Sequence, residues 1–140
     1  MNLKLTVTAL VNPTEIRERV ETAIMNIFPI QLELQDFGIP SLTGHGGIED
    51  LRKFHRLLRE ERILDTARRI MLSRIEGETL NFRLSKQIAF IGKVNFPPVE
   101  ESLGSIHVEI STENQDDLRR VIDWLAPETS EGSPVEEIEL

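Results

Sequence analysis

Apolar and polar residues alternate from the third position. In LKLTVTALV, Leu3, Leu5, Val7, Ala9 and Val11 share one side and Lys4, Thr6 and Thr8 the other, the period of a half-buried strand. The period changes at NPTE, where Asn12 can cap a helix, Pro13 suits its first position and Glu15 can reach back to the chain. Ile16, Val20, Ala23, Ile24 and Ile27 then recur at helical spacing until Pro29. Alternation returns in IQLELQDF, with Ile30, Leu32 and Leu34 against Gln31, Glu33 and Gln35, so a second strand is expected. Residues 38–47 are rich in Gly, Pro, Ser and Thr and read as a loop.

About thirty residues of helical period follow, and they divide into two helices near Glu60 to Arg62. In the first, Leu51, Phe54 and Leu58 face inward while Arg52, Arg56 and Arg59 lie together on another face. In the second, Ile63, Ala67, Ile70, Met71 and Ile75 face inward, with Arg62, Arg68 and Arg69 outside. Gly77 ends the pair. TLNFRLS alternates again. The run LSKQIAFIGKVNF is apolar yet carries Lys86, Gln87, Lys93 and Asn95. A straight strand through it would bury Lys86 without a partner, which is costly, so a turn at Ser85 to Gln87 and a further strand with Phe90, Val94 and Phe96 on its inner face are expected. SIHVEIS forms the last strand. A Thr112/Gln115 capping box opens a final helix with Leu118, Val121, Ile122 and Leu125 inward, and Pro127 ends it. The order β-α-β-α-α-β-β-β-α is that of an α+β fold. Residues 1–127 form one domain, and residues 128–140, ETSEGSPVEEIEL, read as a disordered acidic tail.

The charge distribution sharpens this picture. The chain of 140 residues has a net charge of −8, but residues 45–93 sum to +4 while residues 94–140 sum to −10. The field of the whole molecule repels phosphate, so any nucleic-acid contact has to come from the basic middle. There is no cysteine, which excludes disulfides and thiolate chemistry. No segment approaches the roughly 18 apolar residues of a membrane span, and MNLKLTVTALVNPTE has no signal-type cleavage region, so a cytoplasmic protein is expected.

Catalytic patterns are lacking. His45, His55 and His107 have no metal-ligand spacing, and no metal or cofactor is expected. TGHGGIED suggests a phosphate cradle, but no GK[ST] follows and Glu49 and Asp50 would repel an anion there. With no GxSxG and no cysteine, an enzyme is not expected. The basic cluster carries the functional reading, with Arg52, Arg56 and Arg59 on one helix, Arg62, Arg68 and Arg69 on the next, and Arg83, Lys86 and Lys93 beyond. Asp65 and Arg69, four residues apart, could instead form an ordinary helical ion pair. Tyrosine is absent and most of the six phenylalanines fall on core faces, so base stacking is disfavoured and recognition of RNA shape and backbone is expected.

At RILDTARRIML, LSKQIAFIGKVNF and VIDWLAPET the chain resembles a family of small archaeal proteins described as predicted RNA-binding proteins or exosome-associated subunits. The resemblance runs over residues 3–132. It implies an α+β fold similar to the ribosomal protein that binds 5S rRNA, with a largely antiparallel sheet covered by helices. The residues and the resemblance together give non-catalytic binding of structured RNA. Arg62, Arg68, Arg69, Lys86 and Lys93 are expected on phosphates, with Gln87 and Asn95 hydrogen-bonding sugar or base. The alternative is a protein-interaction module whose basic face docks an acidic partner or another copy.

Overall fold

The computed structural model describes residues 1–98 and 102–140. Strands β1 (Lys4–Leu10), β2 (Leu32–Gln35), β3 (Ser41–Gly46), β4 (Ile75–Glu76), β5 (Thr79–Leu84) and β6 (Ile106–Ser111) form one sheet in the order β2-β3-β1-β6-β5-β4. Every neighbouring pair is antiparallel. The helices are α1 (Arg17–Ile27), α2 (Arg52–Glu60), α3 (Leu64–Ser73), α4 (Lys86–Phe90) and α5 (Gln115–Leu125). This is the expected α+β class with a helix-covered antiparallel sheet.

Alternation decides which side of the sheet is covered. Leu5, Val7 and Ala9 of β1, Leu80, Phe82 and Leu84 of β5, and Ile106, Val108 and Ile110 of β6 are all buried. They meet Ala23, Ile24 and Ile27 of α1, Phe54 and Leu58 of α2, Ala67 and Met71 of α3, and Leu118, Val121 and Ile122 of α5 in one core. Phe28, Phe54 and Phe82 follow one another at centroid distances of 5.5 and 5.7 Å across it. The opposite side of the sheet is polar, with Thr43, Thr8, His107 and Arg83 in register across four strands.

Several local expectations are corrected. Residues 41–46 are not loop but β3, which pairs with both β1 and β2. Its glycine is a packing requirement: a Cβ on buried Gly44 would lie 2.6 Å from Ile30 Cδ1 and 2.9 Å from the Gln31 carbonyl oxygen. Gly44→Ala should therefore cost about 1–3 kcal/mol by overpacking, read as a lower urea midpoint at unchanged m-value. The first helix starts at Arg17 rather than at Pro13. Glu15 does reach back, accepting the Asn12 backbone N–H at 3.0 Å, but it closes a turn ahead of the helix. The last helix is capped by Asn114, whose side chain accepts the Asp117 N–H at 2.8 Å, and not by Thr112.

The strand expected over residues 90–96 is absent. Ser85 caps the short helix α4, and Phe90 is 42% exposed instead of anchoring a sheet. Only Val94 and Phe96 of that run turn toward the core, Phe96 against Phe82 at 5.9 Å. The acidic tail, expected to be disordered, follows a defined course. Strands β7 (Thr129–Ser130) and β8 (Ser133–Pro134) pair around Glu131 and Gly132, both at positive φ as a two-residue hairpin loop requires. Ile138 then packs back on the core.

Candidate functional site

The α2–α3 junction positions the basic residues. α2 stops at Glu60, and Arg62 takes a left-handed conformation (φ 56°) that turns the chain into α3. Between them Glu61 accepts the Val94 N–H with both carboxylate oxygens, at 2.9 and 3.1 Å, and so ties residues 92–95 to the junction. Burial raises the Glu61 carboxyl above its ordinary range, while that N–H and the charge of Lys93 oppose the rise. Lys93 thereby lies near this carboxylate, and Arg62 follows Glu61 in the chain; both are exposed.

Along α3 the spacing of Thr66, Arg69 and Ser73 keeps them on one face. This face borders a cleft of about 310 Å3 closed on its other side by β5 and residues 96–98. Arg69, Arg74 and Arg83 line it together with the hydroxyl residues Thr66 and Ser73 and with Phe96 and Pro97. Arg69 is not paired with Asp65 as its spacing allows, because the Asp65 carboxylate accepts the Thr129 hydroxyl instead. The cleft thus offers guanidinium groups, hydroxyls and a small apolar wall, a set suited to a sugar–phosphate chain.

The seven residues singled out in the sequence are divided by the fold. Arg69 is exposed and lines the cleft; Arg62, Lys93 and Asn95 are exposed outside its lining, Asn95 next in the chain to Phe96, which lines it. Gln87 is exposed elsewhere, in a groove with Ile16, Arg19 and Phe90 between α1 and α4. Lys86 is corrected from a surface contact to a buried group. It is 6% exposed, and its Nζ donates to the carbonyls of Leu10 and Leu103, both at 2.7 Å, and to Glu15 at 3.0 Å. Arg68 is likewise occupied, donating to Asp123 at 2.8 Å and to the Ala126 carbonyl at 3.1 Å. Of the outer arginines on α2, Arg52 pairs with Glu49, Arg56 with Glu60 and Arg59 with Glu137.

Arg74 was not singled out in the sequence, and Arg83 was noted without being placed in the expected contact set. Arg74 follows the last residue of α3, and Arg83 is a polar position of an alternating strand. Neither pattern signals a site until β5 is laid beside α3. Among the described residues no group of three His, Asp or Glu side chains could hold a metal ion, and no helix is long and apolar enough to cross a membrane.

The arrangement has close counterparts. A family model described as RNA binding matches residues 4–112, a span that contains the whole sheet and the cleft. Proteins named UPF0201 share this full-length pattern: one from Metallosphaera sedula is 39% identical, covering 94% of this chain and 93% of its own length, and one from Methanosarcina acetivorans is 38% identical at 96% and 90%. The crystal structure of the UPF0201 protein from Methanococcus jannaschii superposes with a TM-score of 0.86 at 32% identity, over 95% of this chain and 99% of that one. A domain described as RNA-binding is therefore the class that fold and family model define. Within it, this chain belongs to the UPF0201 family of archaeal proteins.

Proposed function

We propose that the protein binds structured RNA without catalysis, in RNA processing or ribosome-related work, through the cleft between α3 and β5. The observation that carries this reading is the meeting of Arg69, Arg74 and Arg83 in one cleft on a chain whose net charge is −8. Gathering cationic side chains in one cleft of an acidic protein suits phosphate recognition. Planar guanidinium groups take phosphate oxygens in pairs, Thr66 and Ser73 can hydrogen-bond sugar or phosphate, and the exposed Asn95 can hydrogen-bond a base or ribose edge. Lys86, Arg68 and Gln87 have no part in this contact set. The family model's description supports the same class of ligand.

The test is binding of the purified protein to labelled single-stranded and duplex RNA across a salt series. Neutralising three to five phosphates gives a slope of log K against log salt of about −2 to −5. Absence of binding at low salt would remove the reading.

A further inference from the structure

A second basic surface lies between α2 and α5, and the chain covers it with its own C-terminal segment. Arg59 is fixed there before any ligand arrives: Nη1 donates to the carbonyls of His55 and Leu125 at 2.8 and 3.0 Å, and Nη2 to that of Trp124 at 3.1 Å. Its remaining edge, Nε and Nη2, grips both oxygens of Glu137 at 2.7 and 2.6 Å. Beside this fork, Arg52, His55 and Trp124 line a pocket of about 380 Å3 that residues 137–140 complete. His55 lies 4.7 Å from the Trp124 ring and Arg52 sits 5.9 Å above it. Ile138 packs on the core next to the salt bridge. The surface therefore takes a carboxylate at Glu137 and an aliphatic side chain at Ile138, with the charge of Glu139 near Arg52.

We propose that the α2–α5 groove is a docking site for an acidic, aliphatic peptide segment of a partner protein, and that residues 137–140 occupy it in cis as an autoinhibitory strap. The chemistry favours a peptide over RNA, because the site pairs one fixed guanidinium fork with an apolar seat and an indole, where a nucleic acid would need a row of phosphate contacts. Attachment of the strap through a short hairpin gives it an effective concentration on the order of millimolar, so an incoming peptide has to outcompete it.

The decisive experiment uses the full-length chain and a full-length Glu137→Ala/Ile138→Ala variant, in which the strap loses both its grips. Each is titrated with a dye-labelled synthetic VEEIEL peptide, and with VEQIEL, in which glutamine replaces the carboxylate that meets Arg59. Trp124, the single tryptophan, is the second reporter. The variant is expected to bind VEEIEL at least tenfold more tightly than the unaltered chain, with a change in Trp124 emission and with at least a tenfold loss for VEQIEL. Equal binding by the two chains, equal binding of the two peptides, or no binding by the variant at millimolar peptide would overturn the proposal. So would a variant that gains affinity for RNA while ignoring the peptide.

Discussion

Replacing Lys86 by methionine is expected to lower the unfolding free energy by about 3–5 kcal/mol, the cost of removing one partner from a buried ion pair. The side chains of Lys86 and Glu15 are 7% and 13% exposed, so water cannot take over the lost contacts. The substitution leaves the Glu15 carboxylate and the carbonyls of Leu10 and Leu103 without their shared donor. Adding Glu15→Gln should recover part of the loss, since a neutral amide is cheaper to bury unpaired than a charge. Urea unfolding of the three proteins measures this, and a single variant within 1 kcal/mol of the unaltered chain would show the pair to be dispensable. The same cluster gives a pH dependence. Burial alone would raise the Glu15 carboxyl, but the Asn12 N–H and Lys86 outweigh it and hold it below the ordinary carboxylate range. Its contribution is present above the unfolded-state value near 4.3 and is lost as pH falls through the lowered folded value. Acid unfolding of Glu15→Gln should therefore show less of this loss.

A loss of at least about 100-fold in RNA affinity is expected for Arg69→Glu combined with Arg74→Gln. Each charge-assisted contact to phosphate contributes about 1.5–3 kcal/mol, and the glutamate adds repulsion. The salt slope should flatten by about 2, because two counterion-releasing contacts disappear. Arg69 and Arg74 are both exposed, and neither has an ion pair among the described residues, so the urea midpoint should stay near that of the unaltered chain. Lys93→Glu, outside the cleft lining, should cost less than the double variant. Unchanged affinity in the double variant would exclude the cleft and leave any RNA contact to another surface.

What could be read from the sequence follows the range of the interactions. Alternation in β1, β5 and β6 and helical spacing in α2, α3 and α5 identify core faces correctly, because those signals are local. The strand β3 escaped because glycine ordinarily marks a turn, whereas Gly44 is required by the approach of Ile30 and Gln31 from the segment that leads into β2. For Lys86 the sequence posed the right problem, an unpaired lysine in an apolar run, but the answer lies with Glu15, 71 positions away. The site shows the same division. Arg62, Arg69 and Lys93 stand out as exposed charge, but nothing local distinguishes them from Arg59 and Arg68. Those two are neutralised by acids 78 and 55 positions distant. Periodicity identifies the outer face of a helix and not what the rest of the chain lays against it.

The strand order also bears on how the protein is made. β1, the first strand synthesised, sits at the centre of the sheet and pairs on one side with β6, whose residues begin at Ile106. On a ribosome working at roughly 5–20 residues per second, β1 emerges about 5–20 s before that partner exists. During this interval β1 has β3 on one side, and the edge that β6 will take stays open. Nascent chains stalled before residue 106 should accordingly be open to proteases and to chaperones that bind extended apolar segments, and release of β6 should end that susceptibility in a single step.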